Sequence, residues 1–216
     1  LIYLDRKTCA VASDLVSALL YTAFITSSSS DGVFMNIELR QATMTDIPAL
    51  EELIRVSVTA LGAEHYTSEQ IQSALSHVFG VDTQLITDGT YLVAEIEGQL
   101  AGSGGWSKRT TLFGGDQSKA DRLDTLLNPA AEAARIRAFY VHPRWSRRGV
   151  GSRILTACED AARAAGFSRI ELVATLPGEP LYTARGYGKA EAMQLETPDG
   201  ESLPAFRMTK ALRSVK

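Results

Sequence analysis

Residues 135–175 read as a strand, a turn, a helix and a second strand: RIRAFYVHP, RWSRRG, VGSRILTACEDAARAAG and RIELVAT. No other stretch constrains the fold as much, because apolar strands linked through an amphipathic helix need a sheet with that helix on its face. Ile154, Leu155, Cys158, Ala161 and Ala162 form the helix's apolar side, and its alanines allow close approach to a sheet. Cys158 is thereby expected to be an inert core thiol.

The flanking sequence extends this pattern. IELRQA reads as an edge strand, and Asp46 as the cap of a helix with Pro48 in its first turn and Leu50, Leu53, Ile54 and Val58 on its apolar face. A second helix is expected in TSEQIQSALSHVFG, capped by Ser68, lined by Ile71, Leu75 and Val78 or Phe79, and ended by Gly80. YLVAEIEGQLAGSGGW reads as a hairpin turning at residues 97–99. Residues 109–134 form a turn-rich insertion expected to carry a short helix over KADRLDTLL. GEPLYTARG reads as a short helix and the last strands surround TPDG. The fold class is α/β (α+β), a mixed sheet flanked by helices, without internal repeats.

A formal charge of -3 over 216 residues leaves no global basic field, which argues against duplex nucleic acid or an anionic membrane as the main partner. Cys9 and Cys158 are far apart and suggest neither a disulfide framework nor a zinc site, which suits a reducing cytoplasm. His65, His77 and His142 lack metal-ligand spacing, so no metal is expected.

Residues 1–34 stand apart. A charged start precedes an uncharged run at 15–25, too short to span a bilayer as a helix, and then the linker-like SSSSDG. A secretory h-region behind Arg6 and Lys7 is one reading, interrupted by Asp14. The reading adopted is an upstream extension or non-native start, poorly ordered or loosely helical, ahead of a domain at 35–213.

Chemistry concentrates at VHPRWSRRGVGSRIL, residues 141–155. Gly149 and Gly151 let backbone N–H groups at a helix start approach a ligand, and those groups with the helix dipole favour an anion. Arg144, Arg147, Arg148 and Arg153 add positive charge. The competing reading is a tight strand-to-helix turn with solvated arginines. A dinucleotide fingerprint would need a third glycine where Ile154 stands, and a P-loop would need a terminal G-K-[ST].

These residues resemble the signature of the GCN5-related N-acetyltransferases, Gln/Arg-x-x-Gly-x-Gly/Ala between the fourth strand and third helix, here Ser146-Arg147-Arg148-Gly149-Val150-Gly151 behind YVHP. GEPLYTARGYGK resembles the family's second segment, with Tyr182 at its tyrosine and Gly186-Tyr187 at its Gly-Phe. The resemblance implies a mostly antiparallel twisted sheet of about six to seven strands with about four helices, strands four and five splayed, and acetyl-CoA as cosubstrate. It implies pantetheine and acetyl contacts at Phe139, Tyr140 and Val141, pyrophosphate contacts at Arg147, Arg148, Gly149, Val150, Gly151 and Ser152, and a further cofactor contact near Thr175, where the family often has asparagine. Ser146 departs from the usual Gln or Arg. Tyr182 occupies the position of the acid that protonates the leaving thiolate, and Glu171 that of a general base in some relatives. The acceptor would be a small-molecule or protein amine, met by the first two helices and the insertion, with Trp106, Tyr66 and His65 as pocket candidates and Asp116 or Glu64 as charge partners. Arg135 and Arg137 are expected to pair with Glu132 or Glu171. The family context leaves homodimerisation open and suits the cytoplasm. A catalytically silent acyl-CoA-binding module is the alternative.

Overall fold

The computed structural model describes residues 36–118 and 124–212. The expectations for residues 1–34 lie outside them. The strands are β1 (Glu38–Gln41), β2 (Tyr91–Ile96), β3 (Gln99–Ser107), β4 (Ala134–Val141), β5 (Arg169–Thr175), β6 (Gly188–Glu196) and β7 (Ser202–Ala211). The helices are α1 (Ile47–Gly62), α2 (Ser68–His77), α3 (Thr83–Thr87), α4 (Val150–Ala164) and α5 (Glu179–Ala184). One seven-stranded sheet runs β1-β2-β3-β4-β5-β7-β6, antiparallel except for β4 beside β5. Among the described residues no helix is long and apolar enough to cross a membrane.

Helices cover both sheet faces. On one, Leu50, Leu53 and Ile54 of α1 and Leu85 and Ile86 of α3 pack with Tyr91 and Val93. On the other, α4 buries Ile154, Leu155, Cys158 and Ala162. It can sit close because β3 carries glycine where α4 crosses: a Cβ on Gly104 would stand 2.9 Å from Ile154 and 2.4 Å from the Phe139 ring. Cutting Ile154 back to alanine in such a site costs about 2–5 kcal/mol. Burial pushes the Cys158 thiol up to about 12, as an inert core thiol requires.

Several local expectations need correction. Thr67, not Ser68, caps α2: its hydroxyl accepts from the Gln70 N–H while Gln70 accepts from the Thr67 N–H, a reciprocal box that Ser68 cannot make. α2 ends at His77, before Gly80. The Asp46 carboxylate does not cap α1. It accepts from the Thr43 N–H and from Arg40, which holds it well below the usual carboxylate range. α3, capped by Asp82, has no counterpart in the sequence reading. Of the helix expected over KADRLDTLL, residues 119–123 lie outside the described residues. The remainder is extended: Leu126 bridges Arg109, and the Thr110 N–H donates to the Thr125 carbonyl. The hairpin turns through Glu97 and Gly98, both at positive φ, which matches the twist of the strands it joins.

Candidate functional site

β4 and β5 pair only at Ala134 with Ile170 and Arg135 with Glu171. Beyond that point they diverge, so one edge of β4 from 136 to 141 has no strand partner, whereas β5 stays paired to β7 throughout. The opening is a cleft of about 460 Å³, walled by α1, α2, α5, the start of α4 and part of the insertion. Unpaired backbone N–H and C=O groups along its β4 side need partners, and an extended amide-bearing ligand would supply them.

β4 is also bulged. Arg137 faces Gly105 and Tyr140 faces Ser103, so Ala138 and Phe139 together oppose Gly104. Ala138 sits at φ 49°, a left-handed conformation that costs a non-glycine residue about 1–2 kcal/mol. The bulge turns the backbone of 138–141 toward the cleft, which all four residues line. Beneath it, Arg137 forms an ion pair with Asp82, both side chains fully buried, and Asp124 stands 3.9 Å away. The expected pairing of Arg137 with Glu132 or Glu171 is therefore replaced by one to α3, an element the sequence reading lacked.

Ser146 to Ser152 close one end of the cleft. Arg147 (φ 60°) and Gly149 (φ 87°) are both left-handed, turning successive amides the same way. No side chain caps α4, and its first bond runs from the Arg153 N–H to the Gly149 carbonyl, so the amides of Val150, Gly151 and Ser152 have no acceptor inside the helix. Such a helix start holds anions, and Arg147 stands exposed beside it. Gly151 is needed sterically: a Cβ there would sit 2.9 Å from Leu181.

Of the residues singled out from the sequence, Phe139, Tyr140, Val141, Arg147, Gly149, Gly151, Ser152, Thr175 and Tyr182 line this cleft, together with Ser146. Arg148 and Val150 do not. The Arg148 guanidinium lies 5.5 Å from the ring centre of buried Trp145, which Arg144 also covers at 4.7 Å, and Val150 is buried facing Gly102. Glu171 does not line the cleft either, because its carboxylate is locked between Arg135 and Arg207, with Arg207 Nε at 2.8 Å. That corrects the geometry expected of a base. Arg169, two residues before Glu171 on β5, donates to the Ala131 carbonyl.

Tyr182, on α5, has its ring edge-on to Phe139 and Tyr187, centroids 5.9 and 5.7 Å away, and burial raises its phenol above the ordinary value. Of the acceptor-pocket candidates, only Tyr66 lines the cleft. Trp106 is core against Phe167, His65 and Glu64 are exposed, and Asp116 accepts from the Thr83 N–H. The sequence reading missed the bulge and the Asp82–Arg137 pair. Their signals were the GSGG run of β3 and an arginine in the middle of an apolar strand.

The profile of the acetyltransferase (GNAT) family matches residues 52–187, well over half of the chain. The chain belongs to the GNAT family. As a GNAT protein it is an acyltransferase, and its fold is the one found in solved relatives. A GCN5-related N-acetyltransferase (aminotransferase, class-II) of Rhodopseudomonas palustris aligns at TM-score 0.62 and 22% identity, over 84% of this chain and 100% of that one. The putative acetyltransferase yncA of Salmonella typhimurium, solved with its cofactor acetyl-CoA, aligns at TM-score 0.56 and 18% identity, over 84% and 96%. The PaiA N-acetyltransferase of Thermoplasma acidophilum, solved with coenzyme A, aligns at TM-score 0.55 and 18% identity, over 82% and 99%. Comparison with curated proteins finds no match.

Proposed function

We propose that this GNAT protein is an acetyl-CoA-dependent N-acetyltransferase that passes the acetyl group directly to a primary amine, and that it works in the cytoplasm. The observation that carries the reading is the pairing of two features in one cleft: an uncapped α4 start beside Arg147, and a bulged β4 edge without a strand partner. The first suits a pyrophosphate and the second an amide-bearing arm, which are the parts coenzyme A offers.

The amides of Val150, Gly151 and Ser152 with Arg147 would hold the pyrophosphate, and the backbone of Phe139 to Val141 the pantetheine. An N–H of bulged β4 polarises the thioester carbonyl as negative charge develops on its oxygen. The amine nitrogen forms the new C–N bond as the C–S bond breaks. Tyr182 gives its phenolic proton to the departing thiolate, and the proton shed by the amine returns through water to restore the phenol. Because burial raises the Tyr182 phenol, the donor form persists throughout the neutral range. Glu171 has no proton-transfer role here: with both oxygens held by arginines it braces the point where β4 and β5 separate.

Calorimetry with acetyl-CoA, paired with thiol release in the presence of amines, tests the reading. Binding with amine-dependent release of free coenzyme A is expected. Absence of binding would overturn the cofactor assignment, and binding without transfer to any amine would favour a silent acyl-CoA-binding module.

A further inference from the structure

The far wall of the cleft allows a narrower conclusion, which rests on the acetyl-transfer reading above. Away from α4, the cleft is lined by Val58, Leu61, Phe79, Phe113, Val173 and Leu203, drawn from α1, the segment just after α2, the insertion, β5 and β7. Tyr66 also lies there, but its hydroxyl is committed: it donates to the Pro204 carbonyl at 2.9 Å and accepts from the Leu176 N–H at 2.8 Å. The remaining polar side chains at this end are neutral hydroxyls, those of Ser57 and Tyr140, and burial raises the Tyr140 phenol so that it stays protonated. Among the described residues no aspartate, glutamate or histidine lines the cleft. Two arginines border it: Arg147 at the α4 end carries an exposed charge, whereas the Arg137 guanidinium is fully buried and paired with Asp82, with Asp124 at 3.9 Å.

An ammonium group entering such a site would lose its hydration without gaining a counter-ion among the described residues, which strongly disfavours it. Among the described residues it would also meet no carboxylate or imidazole to remove its proton, and only a neutral amine carries the lone pair that attacks. An amine that is already neutral at physiological pH, on an apolar body able to fill a wall of phenylalanine, valine and leucine, meets neither penalty. We infer that the acceptor is a small, apolar primary amine of low basicity, with aromatic amines as its type, and that polyamines, lysine side chains and peptide termini are poor acceptors.

The test uses the full chain, acetyl-CoA and four acceptors: para-toluidine, which is apolar and weakly basic; benzylamine, which is apolar and strongly basic; spermidine; and an alanine-led tripeptide. Product mass and coenzyme A release are both measured, and acetyl-CoA affinity is taken separately by calorimetry. The expected kcat/KM for para-toluidine exceeds that for spermidine and for the tripeptide by about tenfold or more, with benzylamine between and gaining as pH approaches its own pKa. Preference for spermidine or the tripeptide, with normal acetyl-CoA binding, would overturn this inference and leave the acetyl-transfer reading standing. Failure to bind acetyl-CoA, or to acetylate any amine, would remove that reading and the inference with it. Val58→Asp, on a half-buried position of α1, places a carboxylate in the wall. It should shift the benzylamine to para-toluidine ratio by about tenfold toward benzylamine, while the isosteric Val58→Asn does not. Equal ratios in both variants, with acetyl-CoA affinity intact, would overturn the inference.

Discussion

At the α4 end of the cleft one continuous run, residues 146–152, provides the exposed amides, the positive φ angles and the arginine, and little beyond their own order is needed to bring them together. At the opposite end Val58, Phe79, Phe113, Val173 and Leu203 come from separate segments and meet only because α1, α2 and the sheet are packed. The first end is polar, cationic and local. The second is apolar, uncharged and assembled. A family can keep one ligand by preserving a short loop while its second ligand changes through side chains scattered over several elements, which is why fold and cofactor say little about the acceptor.

The sharpest way to separate the ends is to damage one. Gly151→Leu thrusts a side chain against Leu181 and Phe139, and calorimetry should find acetyl-CoA affinity reduced by about 100-fold while the fold persists. Unchanged affinity would mean the α4 start is not the anion site. Beneath the bulge, which both ends share, Arg137→Met strands the buried Asp82 carboxylate and should lower unfolding stability by about 3–5 kcal/mol in denaturant titrations. The double variant with Asp82→Asn should recover much of that loss, because the amide oxygen still caps α3 while no buried carboxylate charge is left at that position. Failure of the double variant to recover would show that the pair is not an isolated unit.

Tyr182→Phe keeps the ring that packs on Phe139 but removes the proton donor. It should lower kcat by about 100-fold with acetyl-CoA affinity nearly unchanged, and in the native protein Tyr182 should cause no fall in rate between about pH 6 and 9, since its pKa is raised. Equal losses of binding and turnover would make Tyr182 part of the cofactor wall instead. The smallest effect is expected at Asp199, which accepts from Ser73 and so ties α2 to the β6–β7 turn behind the acceptor wall. The Ser73 hydrogen bond holds its carboxyl below the ordinary range, so its contribution is fully present above the unfolded value of about 3.9 and is lost only as pH falls through the lower folded value. At neutral pH Asp199→Ala should raise acceptor KM by a few-fold and leave acetyl-CoA KM unmoved.

What could be read from the sequence follows the same division. The β4–α4–β5 run, the hairpin at Glu97 and Gly98, α5 and the final hairpin were legible because each carries its own periodicity and turn chemistry. The glycines of the α4 start and Tyr182 were legible through spacing. α3 was not, since five residues after a capping Asp82 leave too little periodicity, and its importance comes from an arginine 55 positions away. The bulge escaped because two residues opposing one is a property of paired strands, visible in neither strand alone. Glu171 was legible as a charged position on β5, with Arg135 expected to pair with it or with Glu132, but Arg207 was not, because it comes from β7, which joins β5 only once the sheet has formed.

In the proposed complex acetyl-CoA lies along the unpartnered edge of β4 with its pyrophosphate on the start of α4. Amide hydrogen exchange with and without acetyl-CoA tests it most directly. Slowed exchange is expected at 138–141 and 147–152, with β1, β2 and the β6–β7 turn unchanged. Unaltered exchange in both of those segments at saturating acetyl-CoA would contradict it.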